Sequence, residues 1–332
     1  MIATLLFKIQ RHVVGLRVLF RMSIGRLSSL SLVLSVLALL LLSAQSAVAG
    51  EATAGHDKSS SIRVVTLFQG ATDSVVALGV TPVGVVDSWA QQPTYGYLRH
   101  ALKGVAHVGL ETQPNIESIL ALKPDLIIAA KSRHERIYSQ LSKIAPTIMA
   151  ENVDDFKATL ALSAKALGEV NKGKRIWLAF QKRIKDLRNG ISKHAEQWPQ
   201  TVSILNVRAD HLRLYLPQSF PGKILKEIGF SFPMPNKTGW GIKLKSKEAL
   251  PSVNADVFFI ILQSDEATVR QNYRAWQSHP LWKMLKAPKH KQVYEVDHVA
   301  WLLSGGIMGA NLMLDQLYRI YHLPISDAKP IR

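Results

Sequence analysis

The chain has 332 residues, with 41 Lys and Arg against 24 Asp and Glu, a formal net charge of +17, 47% apolar residues and no cysteine. This length suffices for two domains, and the ordinary apolar and charged fractions exclude a wholly disordered or fibrous protein. Without cysteine there is no disulfide framework, thiolate metal site, nucleophilic cysteine or lipid-anchored cysteine.

The positive charge is unevenly distributed. Five of the basic residues lie within the first 49 residues, which hold no acid, so the remainder carries 36 basic against 24 acidic residues, or +12. Such an excess suits nucleic acid, an anionic membrane surface or an anionic small ligand. Lys and Arg are scattered without a run of five, which is typical of a solvated surface and makes nucleic acid the weakest of the three.

The amino terminus has the layout of a secretory signal. An apolar run at 30–42 follows a basic region and precedes small residues ending at Ala49. This pattern predicts a signal peptide over 1–49 that is cleaved after Ala49, and then a flexible leader over 50–61. A 13-residue helix spans about 20 Å, less than a hydrocarbon core of about 30 Å, which disfavours the alternative of an uncleaved anchor over 13–42. We expect export to a bacterial periplasm.

From residue 62 onward, short apolar strands alternate with helices. The pattern predicts strands at 62–68, 81–86, 125–129, 201–207, 256–261 and 292–296. It predicts helices at 69–79, 114–122, 222–228 and 306–321, a helical turn at 248–250, and a helical region at 153–195 with a break at Gly168. This alternation is typical of βα units around a mostly parallel sheet that is buried on both faces.

The helical region includes one long amphipathic helix, 171–194. Its apolar residues recur at three- and four-residue spacing, which is the period of a helix face: Ile176, Phe180, Ile184, Leu187 and Ile191. On either side of it the chain repeats a pattern, because Glu117 and Glu248 each stand eight residues before the Asp that opens an apolar strand.

The sequence therefore predicts an α/β fold with two similar lobes, 62–168 and 198–332, joined by one long helix within 169–197. Ligand pockets favour the interface between domains, so we expect the ligand cleft between the lobes.

Several kinds of catalytic and metal site are not encoded. No nucleophile elbow, P-loop or zinc-protease motif occurs, and His134-Glu135 lacks the second histidine of that last motif. Gly305-Gly306-Ile307-Met308-Gly309 lacks the register of a dinucleotide-binding loop. The eleven histidines are not paired at ligand spacing, so no metal site is predicted.

Four stretches are distinctive when taken together. They are Ala77-Leu78-Gly79-Val80-Thr81-Pro82-Val83-Gly84-Val85; Pro114-Asn115-Ile116-Glu117 with Leu122-Lys123-Pro124-Asp125-Leu126-Ile127-Ile128; Ser132-Arg133-His134 with Ile144-Ala145-Pro146-Thr147; and Pro280-Leu281-Trp282 with Val293-Tyr294-Glu295-Val296-Asp297 and Trp301. In this combination, residues 62–322 resemble the periplasmic substrate-binding proteins of ABC importers for ferric siderophores and vitamin B12.

The resemblance implies two Rossmann-like lobes bridged by one long helix, in a monomeric receptor that is not an enzyme. It implies capture of an Fe(III)-siderophore of citrate or hydroxamate type and delivery to an ABC permease dimer in the inner membrane. Iron would arrive already coordinated by the chelator, so no cofactor and no protein metal ligand is expected. Haem or cobalamin binding is one alternative, and a periplasmic α/β hydrolase is the alternative among enzymes; the sequence does not identify the chelator.

Two arginines are the main candidates for ligand contact. Arg133 follows the strand that ends near Ala130, and Arg208 follows the strand at 201–207, which suggests an equivalent place in the second lobe. Ligands of α/β sheets lie outside the carboxyl ends of strands, and a guanidinium offers two donors to a carboxylate or hydroxamate oxygen. An exposed surface arginine is the alternative for each.

Aromatic residues are the second set of candidates. The resemblance makes Trp301 a flat wall of the cleft, with core packing as the alternative. Weaker candidates for the cleft lie in loops or near turns: Trp89, Tyr215 and Trp240, with Tyr95 and Tyr97 at its mouth and His134 and His211 as polar contacts. Arginines that ferric-citrate binders carry after this tryptophan are replaced by Leu302-Leu303-Ser304-Gly305-Gly306, which makes a less charged hydroxamate or mixed siderophore equally plausible.

Two glutamates are candidates for permease docking. Glu117 and Glu248 match the pair of family glutamates that stand one on each lobe and bind arginines of the permease. The alternative is that each stabilises a helix by lying in its first turn.

Overall fold

The computed structural model describes residues 62–325. The expected signal peptide over 1–49 and leader over 50–61 lie outside the described residues, as does 326–332. Within 62–325 the structure confirms the predicted fold class, with two lobes that are each built on one sheet.

The first lobe holds a six-stranded sheet in the order β4-β3-β2-β1-β5-β6, parallel except for the pair β3 and β4. Its strands are β1 (Val64–Thr66), β2 (Gly84–Asp87), β3 (Ala106–Leu110), β4 (Gln113–Pro114), β5 (Leu126–Ala130) and β6 (Thr147–Ala150). Its helices are α1 (Gln69–Ala77), α2 (Ile116–Ala121), α3 (Lys131–His134) and α4 (Tyr138–Ile144), with 3₁₀ turns at Gly96–Leu98 and Glu135–Ile137. Every residue of β1 and β5 is buried, as expected of parallel strands covered on both faces.

Two helices connect the lobes: α5 (Phe156–Ala166) and the long α6 (Val170–His194). Gly168 lies between them with a φ of +72°, a left-handed conformation that glycine adopts without strain, which explains the predicted break. The apolar stripe predicted for α6 is buried. It joins one continuous apolar cluster with Leu78 of the first lobe and Phe259 of the second.

The second lobe holds a five-stranded sheet in the order β11-β10-β7-β8-β9. Its strands are β7 (Val202–Val207), β8 (Leu212–Tyr215), β9 (Gly241–Leu244), β10 (Val257–Leu262) and β11 (Val293–Glu295). Strands β11, β10 and β7 are parallel, whereas β8 and β9 are antiparallel to their neighbours. Its helices are α7 (Phe220–Ile228), α8 (Ala267–Gln277), α9 (Pro280–Met284) and α10 (Lys286–Lys289), with a 3₁₀ helix at Lys247–Val253 and a π-helical turn at Val299–Leu303.

The last helix, α11 (Ile307–Ile320), returns to the first lobe although the sequence assigned 198–332 to the second. Its N-cap residue, Gly306, has no side chain to accept the first N–H groups of the helix. The carboxylate of Asp73 in α1 accepts them instead, at 2.8 Å from the Met308 nitrogen and 3.0 Å from that of Gly309. The physical reason for the placement is thus a helix cap supplied by another helix.

Helix α11 is also fixed to α6 by a buried ion pair. Arg183 of α6 is 1% exposed, and its guanidinium donates to Asn311 Oδ1 at 2.5 Å and to the carboxylate of Asp315. A buried guanidinium requires such partners, because an unpaired buried charge is costly. The two helices therefore form one unit beneath both sheets.

Within 62–325, the structure has no helix whose length and apolar character would allow it to cross a membrane.

Candidate functional site

The carboxyl ends of the strands in both sheets face one cleft, with a volume of about 690 Å³. The first lobe contributes residues that follow β1, β2, β3, β5 and β6: Gln69, Trp89, Glu111, Arg133 and Asp154. The second lobe contributes residues that follow β7, β10 and β11: Arg208, Gln263, Glu266 and His298, with Leu302, Leu303 and Gly305 between the lobes. Strand ends supply the polar groups of the cleft because a doubly covered sheet leaves that edge open.

Arg133 is held by a nearly buried carboxylate. Its Nε lies 3.2 Å from Oε1 of Glu111, whose side chain is 4% exposed. Oε2 of Glu111 accepts hydrogen bonds from Trp89 Nε1 and from the Gln69 nitrogen, both at 3.3 Å. Among the described residues, no hydrogen bond is made by the two terminal nitrogens of Arg133, which leaves the fork of the guanidinium available to a ligand.

Burial governs the ionisation of Glu111. Desolvation raises its pKa, while the Gln69 N–H, the Arg133 charge and the Trp89 N–H lower it. Opposing effects of this kind are typical of carboxyls in ligand sites.

The side chain of His134 hydrogen-bonds to the protein backbone and does not line the cleft. It is 1% exposed, and the Ala130 N–H donates to its Nδ1 at 3.1 Å, so the proton lies on Nε2, which donates to the Glu111 carbonyl at 2.8 Å. Burial lowers the pKa of His134 and keeps the ring neutral. The sequence expected a polar contact with the ligand, but the ring instead ties the start of α3 to the residue that holds Arg133.

Arg208 lies on the opposite wall. Its Nε donates to Asn206 Oδ1 at 3.1 Å, and its backbone carbonyl accepts from Asn272 Nδ2 at 2.6 Å. The sequence suggested that Arg208 and Arg133 occupy equivalent places in the two lobes. The structure shows that they do not. Arg208 follows β7, which corresponds to β1 in the first sheet, whereas Arg133 follows β5, the neighbour of β1.

Trp89 is the one predicted aromatic residue that lines the described cleft, and it is 49% exposed. Trp301 is 0% exposed: its ring packs 4.7 Å from that of Phe259, and its Nε1 donates to Gln316 Oε1 at 2.8 Å. The structure therefore gives Trp301 the core position that was its alternative. The run Val299-Ala300-Trp301 is apolar, and its π-helical turn directs the indole into the shared core.

The other aromatic candidates and His211 lie outside the cleft lining. The rings of Tyr215 and Trp240 lie 5.6 Å apart, and the Arg213 guanidinium lies 4.7 Å from the Trp240 ring. Tyr95 is fully buried, and His211 is bonded to Asp210 through Nδ1 at 2.5 Å. Each of these side chains thus contacts other protein groups, although His211 Nε2 is buried without a hydrogen-bond partner among the described residues.

Tyr97 donates to Asp73 Oδ2 at 2.9 Å, so it reinforces the cap of α11 rather than the mouth of the cleft.

Sequence analysis missed seven polar residues of the lining: Gln69, Glu111, Asp154, Gln263, Ser264, Glu266 and His298. Gln263 and His298 lie just after the predicted strands 256–261 and 292–296, so the criterion that selected Arg133 and Arg208 applies to them as well. Glu111 had no such signal, because β3 contains His107 and Gly109 and was not recognised as a strand.

The lining has a mixed charge: two arginines face three carboxylates. Within 62–325, no group of three or more potential metal-ligating side chains is found.

The two docking candidates lie at the opposite edge of the sheets. Glu117 is exposed in the first turn of α2, which precedes β5, and Glu248 is exposed in the first turn of the 3₁₀ helix that precedes β10. Because β5 and β10 each pair with the first strand of their lobe, the two glutamates occupy equivalent places at the amino ends of the strands.

Two α/β lobes with a polar cleft at the carboxyl ends of both sheets define a substrate-binding protein. The chain belongs to the periplasmic binding protein family, whose model matches residues 64–300.

Among its relatives, the achromobactin-binding periplasmic protein of Dickeya dadantii is 49% identical over 261 residues, which cover 78% of this chain and 86% of the relative. A probable siderophore-binding lipoprotein of Bacillus subtilis, YfiY, is 42% identical over 77% of this chain and 81% of its own length. The crystal structure of Staphylococcus aureus SirA complexed with staphyloferrin B has a TM-score of 0.75 and 38% identity, and the match covers 80% of this chain and 94% of SirA.

Proposed function

We propose that this protein is the periplasmic receptor of an ABC importer, which captures an Fe(III)-siderophore and is not itself an enzyme. The observation that carries the proposal is the cleft itself, in which Arg133 and Arg208 approach from different lobes at the carboxyl ends of the strands. Guanidinium groups bind carboxylate and similar oxygens through paired hydrogen bonds. A relative named for achromobactin and a structure complexed with staphyloferrin B support the same class of ligand.

The ligand is a chelate of modest negative charge. The two arginines are partly offset by Glu111, Asp154 and Glu266, and Leu302 and Leu303 add apolar surface to the lining. A strongly anionic complex would have to overcome repulsion by these carboxylates, whereas a chelate with few uncoordinated carboxylates would not. Iron would enter as part of the cargo, held by the chelator.

Delivery to a permease would use the edge of the molecule opposite the cleft. Glu117 and Glu248 are exposed there, one on each lobe, at equivalent places. One carboxylate per lobe lets a partner with two basic pockets sense how the lobes are placed. The signal-like sequence over 1–49 supports export to the periplasm.

The test is a titration of the protein lacking residues 1–49 with the Fe(III) complexes of achromobactin, staphyloferrin B, citrate and desferrioxamine, followed by tryptophan fluorescence. Trp89 lies in the cleft wall, so we expect quenching that saturates with one of these chelates. The dissociation constant should be sub-micromolar, which corresponds to a binding free energy on the order of −8 kcal/mol or better. Haem and cobalamin serve as comparison ligands. If none of the four ferric chelates quenched the fluorescence, the proposal would be overturned. A haem absorption band would favour the alternative of a haem receptor.

A further inference from the structure

Three polar residues of the second lobe stand in a row on one wall of the cleft. Arg208, Gln263 and His298 follow β7, β10 and β11, which are consecutive parallel strands. Leu262 pairs with Val207, and the Gln263 nitrogen donates to the Val207 carbonyl at 2.9 Å, so the first two side chains start from adjacent positions. Neighbouring strands lie about 4.8 Å apart, which places the three groups within reach of one small ligand fragment.

Two atoms of this row are buried without a hydrogen-bond partner. Among the described residues, neither His298 Nε2 nor Gln263 Oε1 has a partner in the protein. Buried polar atoms in native proteins are almost always paired, and each exception calls for a cause. Both atoms belong to residues that line the cleft, so a bound ligand is the partner that their position admits.

Among the described residues, the first-lobe wall has no lining side-chain atom that is buried without a partner, and the free terminal nitrogens of Arg133 belong to a side chain that is 38% exposed. There Glu111 already accepts from Arg133, Trp89 and Gln69, and its backbone carbonyl accepts from His134. The two walls therefore differ: the free groups of the first-lobe wall are exposed, whereas the second-lobe wall holds two polar atoms that are buried and unpaired.

We infer that Arg208, Gln263 and His298 form a recognition subsite for a fragment of the chelate in which a hydroxyl or amide N–H stands beside an anionic oxygen. The inference rests on the proposed function. The chemistry of each group fixes its role, since a guanidinium only donates and suits an anionic oxygen, whereas an amide oxygen only accepts and requires an O–H or N–H donor.

His298 adds a neutral imidazole to the row. Burial lowers its pKa to about 4, with Arg208 acting in the same direction and Asp297 against it. A neutral ring carries one donor nitrogen and one acceptor nitrogen, so it bonds to the ligand without adding charge beside Arg208.

The experiment compares Gln263→Met and His298→Leu with the native protein, using the Fe(III) complexes of staphyloferrin B and achromobactin as probes. Each substitution removes a hydrogen-bonding atom that only the ligand would use, so we expect affinity to fall roughly tenfold. The melting temperature of the ligand-free protein should stay the same or rise, because an unpaired buried polar atom is removed. His298→Gln, which keeps a polar nitrogen at a similar position, should recover most of the affinity.

Thr159→Val is the matched control. Thr159 Oγ1 in α5 is also buried without a partner but lies away from the cleft lining, so this change should leave affinity unaltered. Native protein that binds neither probe would overturn this inference, and native protein that also fails to bind the citrate and desferrioxamine complexes would overturn the proposed function. Native binding with unchanged affinity in both variants would overturn the inference alone, as would a melting temperature that falls together with affinity.

Discussion

Arg133 is oriented by a residue that is almost inaccessible to water. Glu111 accepts a hydrogen bond from Arg133 Nε, and the same carboxylate accepts from the Trp89 indole and from the Gln69 nitrogen at the start of α1. The guanidinium is therefore fixed before a ligand arrives, which reduces the entropy lost on binding. His134 extends this support by fixing the backbone of Glu111.

The first prediction concerns Arg133 itself. Arg133→Ala should weaken binding of the ferric chelate roughly tenfold or more, because hydrogen bonds to a charged partner contribute about 1.5–3 kcal/mol. Fluorescence titration measures the change, and circular dichroism checks that the fold is kept. Arg136→Ala is the control, since Arg136 is exposed just beyond α3 and is absent from the cleft lining. Equal affinities for native protein and Arg133→Ala would show that Arg133 does not bind the ligand.

Individual site residues can be recognised from the sequence when they directly follow an apolar strand. Sequence reasoning placed Arg133 and Arg208 in the cleft because each follows an apolar strand. It left Trp301 open between the cleft wall and the core, because a residue type does not reveal which way a π-helical turn directs its side chain. It also missed Glu111, whose strand carries polar and flexible residues. A residue that acts through its neighbours leaves no pattern of its own along the chain.

Among the elements, α11 depends most on a distant partner. Gly306 begins the helix, and a Cβ at this position would lie 2.2 Å from Cγ of Asp73, so the carboxylate occupies the space that any other side chain would need. The glycine-rich stretch that superficially resembles a dinucleotide loop is thus explained by close contact between α1 and α11. The carboxylate also meets the positive end of the helix dipole.

The second prediction is a pH dependence of stability through Asp73. Complete burial raises its pKa from 3.8 to about 6, although the N–H groups of Met308 and Gly309 and the Tyr97 hydroxyl lower it. A carboxyl with a higher pKa in the folded state binds a proton more readily when folded. It contributes most to stability below about pH 4 and loses that contribution as the pH rises through about 6.

The free energy of unfolding of native protein relative to Asp73→Asn should therefore be larger at pH 4.5 than at pH 7, by about 2 kcal/mol. Urea unfolding at a series of pH values measures this difference. Asp265→Asn, at a carboxylate whose side chain is 96% exposed, should show no such trend. A difference that is constant with pH, or that grows toward pH 7, would contradict the assignment.

The helices and strands that the sequence predicts are those with a strong apolar pattern. The buried parallel strands β1, β5, β7 and β10 and the long helix α6 were all recognised, because each is a strong apolar pattern. The antiparallel strands β8 and β9 were missed, since each has four residues and carries a charged side chain. Short partly exposed strands are specified by their neighbours in the sheet more than by their own sequence.

The two sheets share two functional candidate surfaces, one at each end of their parallel strands. The parallel strands of both sheets run from the edge that carries Glu117 and Glu248 to the edge that lines the cleft. The proposed ligand-binding and docking surfaces are thus separated by the length of a strand. Because of this separation, a substitution at one surface can change its interaction without changing the interaction at the other surface.

The third prediction uses that separation. The double variant Glu117→Ala with Glu248→Ala should keep its affinity for the ferric chelate, because neither residue lines the cleft. In cells it should reduce uptake of iron-55 supplied as the chelate severalfold. The control is Glu135→Ala with Glu196→Ala, which makes the same charge change at two other exposed positions. Normal uptake by the first variant would exclude the docking role.

The sequence predicted the two-lobe architecture because the repeat of strand and glutamate spacing is a property of the whole chain. It did not predict that α11 returns to the first lobe. That placement depends on a contact between Asp73 and the start of α11, more than 230 residues away along the chain. No local pattern records such a distance.

The second sheet is attached to the first lobe in two places, through α6 on one side and through the segment from β11 into the capped α11 on the other. A body fixed at two points can turn only about the line that joins them. The remaining freedom is a torsion about one axis, which changes the gap between the walls while suppressing their sideways slip. Groups that line the cleft from the two sides would therefore keep their alignment during such a torsion.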